Sequence, residues 1–216
     1  MTRASEPVEP PRPRRRDADR NHGRLLAAAR AVLGEIGADA SVEQIAERAG
    51  VGVGTVYRHF PNKEALIDEL VRAVAAEVDA AMADALSDDD GTGLERFLRA
   101  LGAIFLSHHR YAQLVLRGAQ DEQSAQRVRN RLARLVRNAV NAGTVSPDVK
   151  LGDVMLLVWS LENIAVRTGS VSADAWQRHL DIHLAGLRSG TPLSTHPALT
   201  NPQVAQIRRA ESPRGR

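Results

Sequence analysis

Apolar residues return every three or four positions through most of this chain, the period of helices buried along one side. Between His22 and Ile36, the residues Leu25, Leu26, Ala29, Val32, Leu33 and Ile36 fall on one face, and Gly37 follows as a stop. Ser41 opens a short segment in which Gln44, three residues on, completes the pattern of a reciprocal cap. Ile45, Ala46 and Ala49 give that segment its apolar side. Gly50 breaks it, and 53–60 makes a second short helix. Pro61-Asn62 interrupts the chain again, with Asn62 placed to cap a long helix over 63–86.

The polar run Ser87-Asp88-Asp89-Asp90-Gly91-Thr92-Gly93 predicts a loop. Helices are expected near 93–107, 109–118 and 122–142, the last ended by Ala142-Gly143. Ser146-Pro147-Asp148 turns the chain into a helix over 151–168 closed by Gly169, and Ser172 is placed to cap a helix near 173–188. No segment alternates with the period of a strand, and no internal repeat is visible. The expected fold is all-α, with about nine helices. Residues 1–19 carry Pro7, Pro10, Pro11 and Pro13 before Arg14, Arg15 and Arg16, which predicts a disordered basic arm. Residues 190–216 carry Pro192, Pro197, Pro202 and Pro213, which predicts a mostly disordered tail with at most a short helix over 205–211. Four parts result: the arm 1–19, a compact unit 20–66, a larger helical unit 67–189, and the tail 190–216.

Composition removes several function classes. At 216 residues, 43% hydrophobic and 25% charged, the chain has the balance of an ordinary globular protein. It contains no cysteine, which excludes disulfides, thiolate metal sites and a cysteine nucleophile, and is compatible with the expected cytoplasmic location. The longest uncharged apolar run, Val154–Ser160, is far short of a membrane span. The basic start is followed by prolines rather than an apolar stretch, which argues against a secretory signal. The formal net charge is +3 and the pI about 9.9. The basic residues are almost all arginine, with lysine only at Lys63 and Lys150. A GC-rich genome is the plain explanation; the planar, always-charged guanidinium also suits phosphate.

Residues 41–60 have the spacing of a helix-turn-helix. Small Ala46 lies where the second helix packs closely, and Gly50 sits in the turn, where a positive φ is cheap only for glycine. Val51 and Val56 supply apolar contacts between the helices. Such a wedge presents its second helix to a major groove about 12 Å wide. Thr55, Tyr57, Arg58 and His59 give that helix an outward set of hydroxyl, phenol, guanidinium and imidazole groups. Gly52, Val53 and Gly54 leave its start slim, and Lys63 begins the next helix, where its ammonium and the helix terminus both suit a phosphate.

The stretch Gly50-Val51-Gly52-Val53-Gly54-Thr55-Val56-Tyr57-Arg58-His59-Phe60-Pro61-Asn62-Lys63-Glu64-Ala65-Leu66 resembles the signature of the TetR-type transcriptional regulators, and the resemblance covers roughly 20–70. It implies that Thr55, Tyr57, His59 and Lys63 contact phosphates and that Val53, Gly54, Tyr57 and Arg58 lie near base edges. Ser41 joins the DNA-binding set. Where the family often has a serine cap this chain has Gly52, which still caps adequately. Val53 and Gly54 offer little hydrogen bonding, so thymine-methyl contact by Val53 and readout by Arg58 are the candidate sources of base specificity.

The resemblance further implies that the rest of the chain is a helical regulatory domain that dimerises through its last two helices and binds a small molecule. The apolar residues of 151–166 wrap most of the helix, which predicts burial on both sides, and Leu180, Ile182, Leu184 and Leu187 add a second such helix. A homodimer through 151–168 and 173–188 would place two recognition helices about 34 Å apart on a palindromic site. Glu162 interrupts the apolar helix and needs a partner: either an arginine across the dimer, or a place in a ligand pocket with Phe105, Tyr111, Met155, Trp159 and Asn163. His179 and His183 stand four apart, a spacing that can hold a metal, but Asp181 faces another way, so no metal and no cofactor are expected. No nucleophile–base set or phosphate loop after a strand points to an enzyme. The expected function is a dimeric repressor bound to a palindromic double-stranded operator and released by a small-molecule effector, without membrane association. The alternative is a DNA-binding regulator with no small-molecule effector, controlled by a protein partner or acting as an activator.

Overall fold

The computed structural model describes residues 14–37, 39–108, 122–188 and 194–211. Among them are nine α-helices and no strand: α1 (Arg14–Ile36), α2 (Val42–Ala49), α3 (Val53–His59), α4 (Lys63–Ala85), α5 (Gly93–Ser107), α6 (Glu122–Asn141), α7 (Leu151–Thr168), α8 (Ala175–Leu187) and α9 (Asn201–Glu211). The chain divides into two compact units, one ending at Leu66 and the other starting at Ile67. No helix among the described residues is long and apolar enough to cross a membrane.

In the first unit the periodic face of α1 buries Leu25, Ala29, Val32 and Leu33. α1 packs on α2, and α2 on α3. Ile45, Ala46 and Ala49 of α2 are buried, as are Val56 and Phe60. Gly37 ends α1 with a φ of 88° and donates its N–H to the Leu33 carbonyl at 2.8 Å. α1 begins at Arg14, inside the stretch expected to be a disordered arm. Its first residues, Arg-Arg-Arg-Asp-Ala-Asp, follow the last proline of the arm and contain no helix breaker, so the helix extends back to them. Residues 1–13 lie outside the described residues.

The second unit is organised around α5, which packs against α6, α7 and α8. Leu94, Phe97, Leu98 and Leu101 of α5 meet Met82 and Ala85 of α4, Leu132 and Leu135 of α6, Leu157 and Leu161 of α7, and Leu180 and Leu184 of α8 in one core. Close approach is bought with glycine at two places. A Cβ on Gly93 would lie 2.1 Å from the Ala85 carbonyl oxygen, and one on Gly102 would lie 2.3 Å from the Trp176 ring. The loop before α5 is tied by Asp90, which accepts the Thr92 N–H at 2.9 Å and its hydroxyl at 2.8 Å. Those two bonds, the backbone one first, hold the Asp90 carboxyl below its ordinary pKa.

Two expectations need correction here. The short helix expected over 205–211 starts earlier and is longer: α9 spans Asn201–Glu211. Thr200 and Gln203 cap it reciprocally, with Thr200 N–H donating to Gln203 Oε1 at 2.9 Å. Val204 is 1% exposed, and the Leu199 backbone lies so close to Gly152 of α7 that a Cβ there would be 2.3 Å from its oxygen. Tertiary burial of Val204 overrides the proline-rich composition. Second, Ser172 does not cap the following helix, which starts at Ala175 after Asp174 without a side-chain cap. In the single chain α7 is buried on its core side, while Leu156 is 47% exposed and Glu162 half-buried. The helix expected near 109–118 lies outside the described residues.

The glycine contacts make a direct test of the α5–α8 packing. Gly102→Ala should destabilise the protein by about 1–3 kcal/mol, because the methyl group must displace the Trp176 ring. Gly186→Ala, on α8 with no neighbour within 4 Å of the new Cβ, should stabilise it by roughly 1 kcal/mol through helix propensity. Urea denaturation of the two variants checks both signs.

Candidate nucleic-acid interface

The site is built on the α2–turn–α3 segment, and its geometry starts at the cap. Ser41 accepts the Gln44 N–H at 3.2 Å while the Gln44 side chain accepts the Ser41 N–H at 2.8 Å, the reciprocal arrangement its spacing predicted. The nearby Glu43 carboxyl is held below its ordinary pKa by its own backbone N–H and then by the Ser41 side chain. The Ser41 hydroxyl is thereby engaged in the cap at the start of α2.

The turn is set by backbone chemistry. Gly50 takes φ 66° and ψ 38°, the left-handed region, and donates to the Glu47 carbonyl at 3.0 Å. Val51 N–H then reaches back to the Ala46 carbonyl at 3.0 Å. Arg24 of α1 donates from Nη2 to the Ala49 carbonyl at 2.8 Å. A guanidinium on the last carbonyl of α2 satisfies an otherwise orphaned acceptor and suits the negative end of the helix. Arg24 is a residue that sequence reasoning missed; nothing in its local pattern signals a contact twenty-five positions away.

α3 follows from Gly52, whose lack of a side chain leaves the start of the helix open. Val56 points inward, 1% exposed, and Phe60 closes the helix by donating its N–H to the Val56 carbonyl at 2.8 Å. The opposite side presents Gly54, Tyr57 and Arg58, all exposed, with Tyr57 47% so. Val53, Thr55, His59 and Lys63 are half-buried along its margins. Arg58 lies back along its own helix, donating from Nε to the Gly54 carbonyl at 3.1 Å and from Nη2 to Thr55 Oγ1 at 3.3 Å. Its charge therefore sits over the slim start of α3 rather than beyond its end. Asn62 caps α4 as its position predicted, accepting the Ala65 N–H at 2.8 Å.

His59 belongs to a ring cluster that the sequence did not reveal. His22 of α1 stacks on Phe60 with centroids 5.1 Å apart, and lies 5.8 Å from the His59 ring. His59 is thus both a margin residue of α3 and part of its packing onto α1. The structure brings Val53, Gly54, Thr55, Tyr57, Arg58 and His59 onto one short helix, with Ser41 at the start of α2 and Lys63 at the start of α4.

The sequence-derived ligand set is more dispersed. Met155 is buried in the core of the second unit, and Phe105 and Trp159 pack against that core. Glu162 is half-buried, while Asn163 is exposed and donates its side-chain amide to the Trp159 carbonyl at 3.1 Å. Tyr111 lies outside the described residues. Among the described residues, no group of three or more His, Asp or Glu side chains gathers as a metal cluster would.

Comparison with known proteins places these features. The family model described as "Bacterial regulatory proteins, tetR family" matches residues 25–70, the helices just described. A second, "Transcriptional regulator SbtR-like, C-terminal domain", matches residues 65–189. Among curated proteins, the chain is 38% identical over 103 residues to the HTH-type transcriptional repressor KstR2 of Mycobacterium tuberculosis, a match covering 46% of this chain and 50% of that one. The chain thus spans about half the length of that relative. It is 26% identical over 147 residues to the HTH-type transcriptional regulator UidR of Escherichia coli, covering 62% of this chain and 73% of that one. Among solved structures, the TetR transcriptional regulator SCO0520 of Streptomyces coelicolor superposes with a TM-score of 0.57 at 30% identity, over 79% of this chain and 99% of that one. With its α1–α4 segment and most of the remaining chain matched in this way, the protein belongs to the TetR family of bacterial transcriptional regulators.

Proposed function

We propose that this protein is a dimeric, cytoplasmic transcriptional repressor that grips a palindromic DNA operator with α3 and is released from it by a small-molecule effector. The observation that carries the DNA-binding part is the exposed face of α3. Tyr57 and Arg58 stand outward on a helix held by Gly50 and Arg24, and the backbone at Gly54 is bare. Thr55, Tyr57, His59 and Lys63 take phosphates, with Ser41 beside them. Phosphate contacts fix the register of the helix, and base edges give the sequence preference. Val53, Gly54 and Arg58 face the bases. Arg58, lying across Gly54 and Thr55, is the one hydrogen-bond donor of the three side chains and suits a guanine edge.

The dimer reading rests on α7 and α8. Leu156 on α7 and Ile182 on α8 are large apolar side chains 47% and 59% exposed. Apolar groups left in water on two neighbouring, packed helices mark a surface that a second copy would cover. For the effector, Phe105 on α5 and Met155 and Trp159 on α7 share one core and supply the apolar side of a ligand site, with Glu162 as its polar group. Control by a protein partner, or activation in place of repression, remains the alternative, and no feature of the described residues favours it.

Selection of bound sequences from random DNA should return a palindrome with half-sites about one helical turn apart. Tyr57→Ala should lose that selection. Lys63→Ala should weaken binding across all sequences and make the log–log salt dependence shallower by about 0.9. Uniform recovery of all sequences by the unaltered protein would contradict the reading. Separately, Leu156→Asp with Ile182→Asp should convert a dimer to a monomer in sedimentation and weaken operator binding, because each copy would then grip one half-site alone. A protein that stays dimeric with both aspartates would place the interface elsewhere.

A further inference from the structure

His179 and His183 lie on α8, one helical turn apart, and their rings stand with centroids 4.2 Å from each other. Each ring is already held by one nitrogen. The Nδ1 of His183 donates to the His179 carbonyl at 2.9 Å, because a carbonyl can only accept. That bond fixes the His183 tautomer and leaves the lone pair on Nε2. The Nε2 of His179 is hydrogen-bonded to Ser160 Oγ on the neighbouring helix α7. In the tautomer that donates this proton to the serine, the lone pair of His179 is on Nδ1. Metal-binding histidines carry this same arrangement: one nitrogen donates to a carbonyl or other oxygen and the other is left as ligand.

The spacing agrees with the chemistry. Residues at i and i+4 on a helix share a face, and a zinc ion held by two imidazole nitrogens sits about 2.0–2.1 Å from each. Ring centroids 4.2 Å apart, with planes tilted by 47°, place the two imidazoles side by side on that face. His183 is exposed in the single chain, next to Ile182, which the dimer reading places under a second copy. The sequence argued against a metal because Asp181 faces away, and Asp181 does pair with Arg99 at 2.9 Å. That carboxylate is therefore spent elsewhere, which leaves the two imidazoles as the protein ligands such a site would offer. Neutral imidazole ligands select a borderline ion of the zinc, nickel and copper class over magnesium or calcium.

We propose that His179 and His183 form a chelating site for a divalent transition-metal ion of the zinc class on α8, with Ser160 as the residue that orients His179. The site needs one chain only and is independent of the DNA-binding reading.

Calorimetric titration of the full chain with zinc chloride tests it, with magnesium chloride as control. The unaltered protein should bind zinc at no more than one ion per chain and give no heat with magnesium beyond dilution. His183→Ala should abolish the binding, and His183→Gln should do the same while keeping a polar side chain at that exposed position. Ser160→Ala should weaken the affinity by roughly tenfold, the usual loss when a ligand's orienting partner is removed. His196→Ala, at an exposed histidine elsewhere, should leave it unchanged. Circular dichroism establishes that each variant is folded. Zinc binding that survives both His183 variants, or no zinc binding by the unaltered protein at millimolar metal, would overturn the proposal.

Discussion

The direction of α3 depends on one backbone constraint. Gly50 must enter the left-handed region for α2 to end and α3 to leave at an angle, and only glycine does so without a steric cost. Three hydrogen bonds then hold the corner: Gly50 to Glu47, Val51 to Ala46, and Arg24 to Ala49. The first two come from the chain itself. The third ties the corner to α1, so the aim of α3 is referenced to the longest helix of its unit. Buried Val56 and Phe60 fill the space beneath. What α3 offers outward follows from that placement, since with Val56 turned in, Gly54, Tyr57 and Arg58 are turned out.

The second unit solves a different problem. Helices stack closely around α5 wherever a glycine permits, with Gly93 on the end of α4 and Gly102 on Trp176. The same device recurs where Leu199 lies on Gly152, bringing the C-terminal segment onto α7. Ion pairs reinforce the outside of this packing. Glu95 of α5 pairs with Arg99 one turn on at 2.8 Å and with Arg188, while Arg99 also reaches Asp181 of α8. These charges are partly exposed, so they orient α8 against α5 more than they stabilise it. Two faces of α8 are thereby occupied, the core side by Trp176, Leu180 and Leu184 and one flank by the ion pairs. Ser160 of α7 meets the other flank at His179.

Much of this was legible in the residues themselves. Ser41 and Gln44, Gly50, and Asn62 each announce a local backbone event, and local events are what a sequence pattern encodes. Of the outward set read on α3, Tyr57 and Arg58 are exposed, while Thr55 and His59 are half-buried. Contacts between distant positions were not legible. Arg24 on the Ala49 carbonyl, His22 on Phe60, and Leu199 on Gly152 join residues whose own surroundings carry no sign of the partner. The α9 helix was hidden for that reason: four prolines dominate its neighbourhood, and the burial of Val204 decides the outcome. The surroundings of Glu162 were not legible either: it is half-buried on α7, beside exposed Asn163.

The central claim is that the bare start of α3 comes against DNA. Gly54 isolates it, because a Cβ there meets nothing within 4 Å in the protein alone. Gly54→Ala should therefore raise stability by up to about 1 kcal/mol through helix propensity. If α3 lies in the groove with its backbone close to the bases, the same methyl group should weaken operator binding tenfold or more, a loss of about 1.4 kcal/mol. Denaturation and fluorescence-anisotropy titration of this one variant read the two effects side by side. A more stable protein that binds its operator more weakly is the predicted result. A more stable protein with unchanged affinity would contradict the placement of α3 against DNA.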